Sequence, residues 1–212
     1  MDRREFMRLT SSGMAAGAIA ETLVFAQVAR TPSATRAGSP RRALMKVGTQ
    51  NGHSDAHLKQ FAAFGVNNIC SGLPSRVMDE AWSVDGLKRL REHVESYGIK
   101  LDMVPLALSS SEIRNSENPD IMLAGPNRDK QIDDICQQIR NTALAGIPQA
   151  KYNLTLIGIP RTERTKGRGP STYSTFAYEG AKQDPPLTIA GPVNADLYWE
   201  RITYFLERVV PV

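Results

Sequence analysis

Three glycines, each followed at once by a β-branched residue, punctuate the chain: Gly65-Val66, Gly98-Ile99 and Gly146-Ile147. Each closes a stretch whose apolar residues recur at spacings of three and four, the period of a helix with one buried face. A helix that ends in the left-handed region favours glycine there, because glycine carries no Cβ penalty. The Val or Ile that follows opens a short apolar run of the kind that makes a buried strand. Repeated three times, this junction dictates alternating helix and strand. Alternation of that kind builds a parallel sheet with helices packed outside it.

The units read as follows. Leu44 to Thr49 is a first strand, and Ser54 caps a short helix carrying Leu58, Phe61 and Ala62. Val66 to Ser71 is a second strand, followed by a helix capped by Ser83 with the stripe Leu87, Leu90, Val94 and Tyr97. Ile99 to Leu106 is a third strand. Asn127 caps the next helix, with Ile132, Ile135, Cys136, Ile139 and Ala143, and Ile147 to Ile157 holds a fourth strand. A last helix runs from about Ala195 to Val209. No Gly-x-Gly-x-x-Gly follows the first strand, which counts against a dinucleotide-binding sheet. The expected fold class is α/β, a (β/α)8 TIM barrel of which about the first four β/α units are present. A complete barrel runs to about 250 residues, and Val209-Val210-Pro211-Val212 stands where a further turn and a fifth strand are expected. Val47, Ile69, Leu101, Met103 and Leu154 are expected on the inner faces of the strands, waiting to be covered. Self-association into a homo-oligomer is one way to cover them.

The first 42 residues are of another kind. Asp2-Arg3-Arg4-Glu5-Phe6-Met7-Arg8 matches the twin-arginine export signal, with Arg3 and Arg4 as the pair its receptor reads. The apolar stretch through Ala26 is short, rich in Gly and Ala and interrupted by Glu21, too weak for the ~20 apolar residues of a membrane span. Residues 1–26 are therefore read as a signal peptide and 27–42 as a linker, leaving 43–212 as the folded part. The expected partner is the Tat export machinery and the expected location periplasmic. Of the 26 basic and 22 acidic residues, this leader holds seven and three, so the folded part is formally neutral. The basic balance is thus no argument for nucleic acid, and nucleic-acid binding is not expected. Two cysteines, Cys70 and Cys136, are too few for a disulfide framework and are expected as buried free thiols.

In a parallel barrel, chemistry sits on the loops after the C-terminal ends of the strands. Those loops offer Gln50-Asn51-Gly52-His53, Cys70 to Arg76, Ser109 to Glu112, Lys151-Tyr152-Asn153, and Arg161 to Gly169. His53 is the foremost single candidate for acid–base or ligand work, with Asn51 beside it. His57 and His93 fall within helices and read as surface residues. Arg161, Arg164, Lys166 and Arg168 either hold a sugar carboxylate through guanidinium forks or form a solvated loop. Asp133-Asp134 reads as a helix-surface pair. No His, Cys, Asp or Glu cluster has metal-ligand spacing, and no Gly-x-Ser-x-Gly elbow supports a serine hydrolase.

Several of these segments resemble one family. Asp85 to Pro105, with Gly98-Ile99-Lys100-Leu101-Asp102-Met103-Val104-Pro105, is similar to the second helix and third strand of mannonate dehydratases. Lys151-Tyr152-Asn153-Leu154 resembles that family's Cys-Tyr-Asn-Phe segment, and Arg161-Thr162 its later Thr-Arg-Thr. Phe205 to Val212 resembles its Phe-Leu-x-x-(Ile/Val)-Ile-Pro-Val-Ala-Glu helix. The resemblance implies a xylose-isomerase-like barrel and a hydro-lyase of hexuronate catabolism that removes water from D-mannonate to give 2-dehydro-3-deoxy-D-gluconate. It implies Mn2+ or Fe2+, with ligands beyond Val212, so that this stretch alone would be inactive. It also places Tyr152, Asn153, Arg161 and Thr162 along a site for a small sugar acid. One departure stands out. Ser71-Gly72-Leu73-Pro74 occupies the place of the family's His-His-Ile-Pro, which keeps open a sugar isomerase or epimerase on the same barrel, or a non-catalytic sugar-acid binder or inactive fragment.

Overall fold

The computed structural model describes residue 46, residues 48–50 and residues 52–212. The signal and linker expectations, including Arg3 and Arg4, lie outside the described residues, as do Val47 and Asn51.

Four short strands form one parallel sheet in the order β1-β2-β3-β4: Gly48–Gln50, Asn68–Cys70, Lys100–Pro105 and Gln149–Lys151. Helices α1 (Asp55–Ala63), α2 (Val84–Glu95) and α4 (Arg128–Leu144) connect them, with a one-turn α3 (Asp120–Leu123) ahead of α4. Helix α5, Ala195–Val209, follows a two-stranded antiparallel sheet of β5 (Glu163–Lys166) and β6 (Thr172–Thr175). The mixed α/β order with a parallel sheet fits part of a TIM-barrel-like fold.

The junction glycines sit at φ 73°, 73° and 76° for Gly65, Gly98 and Gly146, the left-handed values that set each helix end. Ser54 and Ser83 cap α1 and α2; the Ser83 hydroxyl accepts from the Gly86 N–H at 2.9 Å. Asn127 departs from expectation. It precedes α4 without a side-chain cap, because the Asp120 carboxylate takes both its backbone N–H (2.9 Å) and its side-chain amide (3.0 Å).

The core lies between sheet and helices. Trp82, Leu87, Val94, Ile132, Ile135 and Phe205 are wholly or almost wholly buried there, and the Trp82 indole N–H donates to the Ser75 carbonyl at 3.0 Å. Ile69 and Leu101 belong to this layer at 2% and 3% exposure, which corrects the expectation that they wait uncovered on an inner face. The register shifts between Ile69 and Cys70, so that Cys70 stands beside Met103. The sheet also carries a shallow depression of mixed character, lined by Ile69, Cys70 and Met103 together with Asn68, Asp102 and Gln149, where Lys46 pairs with Asp102 at 2.9 Å.

One further expectation is met and another is corrected. The fourth strand lies within Ile147 to Ile157, as expected, and is three residues long. After Asn153, whose N–H donates to the Leu108 carbonyl at 3.0 Å, the chain turns to serve the loop that follows β3: Ile113 N–H donates to Leu156 at 3.2 Å, and Glu112 bridges Ile157. The Arg161–Gly169 segment is not a loop. It forms β5 and the turn into β6, held in register from Glu163↔Thr175 to Lys166↔Thr172.

Candidate active site

Successive strands of a parallel sheet point their C-terminal ends the same way, and the connecting loops there define a mouth. At that mouth the structure has a cavity of about 320 Å³ lined by Gln50, Gly52, Ser71, Gly72, Ser109, Ser110, Lys151 and Asn153, with an apolar part from Leu73, Leu106 and Leu108. Every one of the four strands contributes its end. The size is at the lower limit of small-molecule sites, about 300–1,000 Å³.

The loop after β3 forms one wall and is held without regular structure. Both backbone polar groups of Ala107 are taken by side chains: its N–H donates to Gln138 Oε1 at 3.1 Å and its carbonyl accepts from Asn118 Nδ2 at 2.8 Å. Ser109 N–H donates to the Glu117 carboxylate at 3.0 Å, and the Ser109 hydroxyl reaches Ser111 at 2.9 Å. On the β4 side the Lys151 carbonyl accepts from Leu106 N–H at 2.8 Å, fixing the strand end against that wall.

His53 stands at the β1 end of the mouth. A Cβ built on Gly72 would come within 3.6 Å of both the His53 Nδ1 and the Gly52 Cα, so the imidazole lies against the bare face of Gly72. Its Nδ1 is buried without a partner among the described residues. Burial holds the imidazole below the ordinary histidine pKa, with a smaller contribution from the charge of His93. Ser71 is buried, and its hydroxyl is spent on the Gly72 carbonyl at 2.9 Å.

Lys151 and Asn153 line the mouth, while Tyr152 between them turns the other way, its ring edge-on to Phe205 of α5 at 5.4 Å. That is the period of two of an extended chain. Lys151 is the one charged side chain among the described residues lining the cavity. Sequence reasoning placed Lys151 near the site but chose Tyr152 and Asn153 beside it. The alternation of sides was the signal that could have selected Lys151.

The structure therefore brings Asn153 to the cavity and sets His53 behind its glycine wall, against Gly72, and does not bring Tyr152, Arg161 or Thr162 there. Arg161 is exposed and donates to its neighbour's carbonyl, Pro160 O, at 3.0 Å. The Thr162 hydroxyl staples the base of the β5–β6 hairpin, accepting from Ala177 N–H at 2.9 Å and donating to the Thr175 carbonyl at 3.3 Å. His57 lies on the α1 surface beside its cap, and His93 pairs with Asp55 at 3.1 Å. Asp133 and Asp134 are occupied by Arg208 and Lys130. Cys70 and Cys136 are free thiols, the first part-buried and the second buried.

No group of three or more His, Cys, Asp or Glu converges into a metal-binding set among the described residues. The mouth offers one imidazole, one ammonium and neutral hydroxyls and amides, which do not fit a divalent-cation centre by themselves.

Comparison with known proteins points to one family. Residues 45–185 match the family model described as D-mannonate dehydratase (UxuA). Mannonate dehydratase of Shouchella clausii (strain KSM-K16) is 27% identical over 180 residues, covering 70% of this chain and 48% of that protein. Mannonate dehydratase of Thermotoga petrophila is 25% identical over 193 residues, covering 76% and 51%. The chain thus spans about half the length of the curated relatives it matches. The crystal structure of mannonate dehydratase from Streptococcus suis serotype 2 superposes with a TM-score of 0.64 at 22% identity, over 79% of this chain and 50% of that one, which shows a shared fold. Matched by the family model along well over half of its residues, the chain belongs to the UxuA D-mannonate dehydratase family.

Proposed function

We propose that the chain forms part of a hydro-lyase acting on D-mannonate, with its strand-end cavity as one side of the sugar-acid site. The observation that carries this reading is positional. The family match over residues 45–185 runs through every residue that lines the cavity, from Gln50 to Asn153. The reaction removes the proton from C2 and hydroxide from C3; the enol so formed becomes the 2-keto acid, with net loss of one water. It requires a group to hold the carboxylate, donors and acceptors for the hydroxyls, and an acid–base pair. Asn153, Ser109 and Ser110 supply neutral hydrogen-bonding groups. His53, whose pKa burial lowers, has a ring nitrogen without a partner among the described residues. It also sits against Gly72, in the segment where the family resemblance expects an imidazole pair, which favours the enzyme over an inert binder. The Mn2+ or Fe2+ that the resemblance implies finds no ligand set among the described residues of the mouth.

The test is turnover of D-mannonate by the protein supplied with Mn2+ or Fe2+. Appearance of 2-dehydro-3-deoxy-D-gluconate supports the assignment; conversion of a neutral ketose with none of the keto-deoxy acid replaces it with an isomerase.

We infer, from Arg3-Arg4 and the residues around them, export through the twin-arginine route to the periplasm. Replacing both arginines by lysine keeps the charge and removes the guanidinium forks. Transport should then stop, and periplasmic accumulation at the original level refutes the inference.

A further inference from the structure

The cavity at the strand ends has a single charge and no counter-charge. Of its lining residues only Lys151 is ionised, and no carboxylate among the described residues pairs with it. Glu117, in the loop that walls the cavity, is committed to Arg76 and the Ser109 N–H, and Asp102 of β3 to Lys46. Lys151 stands half-buried among neutral hydroxyls and amides, on a strand end pinned through its backbone carbonyl, and brings a positive charge to a mouth of small-molecule size. Lysine binds a carboxylate as a point charge supplemented by hydrogen bonds. Asn153 on the same side of the strand, and Ser109 and Ser110 across the cavity, supply hydrogen bonds for the hydroxyls that follow a sugar acid's carboxylate.

We propose that Lys151 anchors the substrate's carboxylate and so selects acids over neutral sugars at this mouth. The assignment rests on the cavity being the sugar-acid site. It also displaces the cationic Arg161–Arg168 segment from that task, because that segment is a solvent-exposed hairpin.

The experiment measures binding of D-mannonate and of uncharged D-mannitol to the full chain by titration calorimetry, for the parent, Lys151→Met, Lys151→Gln and Lys151→Arg. Losing a hydrogen-bonded charge should weaken D-mannonate about 10- to 100-fold in the Met and Gln variants. Lys151→Arg should stay within about fivefold of the parent, and D-mannitol should bind all four alike. Unchanged D-mannonate affinity in whichever of the two neutral variants folds overturns the proposal, as does equal loss of D-mannitol, or no D-mannonate binding by the parent. The two readings fail separately. Charge-dependent binding without turnover overturns the dehydratase assignment and keeps the anchor, whereas turnover with an unaltered KM in Lys151→Met keeps the dehydratase and removes the anchor.

Discussion

Glu117 and Arg76 form an ion pair at 2.9 Å in which the two partners live in different media: the carboxylate side chain is 1% exposed and the guanidinium 65%. The buried partner also receives the Ser109 N–H, so it holds the wall of the cavity as well as the charge. Removing the two ends should therefore have unequal effects. Glu117→Ala strips the loop of its anchor and should cost about 2–3 kcal/mol, whereas Arg76→Ala leaves a carboxylate that keeps its N–H donor and some water, and should cost about 1–2 kcal/mol after allowance for screening. Urea denaturation of both variants checks the order; equal losses, or a larger loss for Arg76→Ala, contradict it.

His53 should titrate below the ordinary histidine range. Its part-buried imidazole is held under the usual value of about 6.5 by burial, with a smaller contribution from the charge of His93. A group whose folded pKa is depressed takes up its proton more readily in the unfolded chain. The stability it contributes is complete above the unfolded value and declines as pH falls toward the folded one. Two-dimensional NMR of the ring protons reads this directly, and a His53 midpoint at or above 6.5 refutes it.

Cys70 provides an independent reporter on Lys151. Burial raises the Cys70 thiol pKa, and the Lys151 ammonium opposes that rise. Lys151→Gln should leave less thiolate and slow alkylation of Cys70 by iodoacetamide at pH 8, read by mass spectrometry at that residue. Faster alkylation in the variant means that the ammonium does not face the thiol.

Gly86 should tolerate no side chain. A Cβ there would stand 2.3 Å from the Glu80 carbonyl and 3.0 Å from that of Ala81, both backbone atoms of the turn that carries Trp82. Gly86→Ala gains helix propensity of about 1 kcal/mol yet should lose about 1–3 kcal/mol net, because α2 and the turn must separate. A melting temperature equal to or above the parent's contradicts this packing.

The parts legible in the sequence are those governed by local chemistry. The Gly65, Gly98 and Gly146 ends and the Ser54 and Ser83 caps rest on single-residue preferences that tertiary packing did not override. The β5–β6 hairpin was hidden because nearly every residue of both strands is exposed, so no apolar alternation marked it. The loop after β3 was hidden for the opposite reason: Leu106, Ala107, Leu108 and Ile113 are buried without any period. Of the candidate site, His53 and Asn153 were legible from their place after strands. Lys151 was not legible from the family resemblance, which rests on Tyr152 and Asn153, because side-chain alternation puts Lys151 and Asn153 on the cavity and turns Tyr152 away toward Phe205.

The two side-chain clasps on Ala107, one from α4 and one from within its own loop, have a consequence for ligand entropy. A loop held by its own sequence alone must be ordered by whatever binds it, at a cost on the order of 0.5–1.5 kcal/mol for each side chain immobilised. Here that ordering is already complete, since Gln138 and Asn118 close both hydrogen bonds before any guest arrives. A small acid entering this mouth should meet a wall that does not rearrange, and its association should show little of the unfavourable entropy that accompanies loop closure.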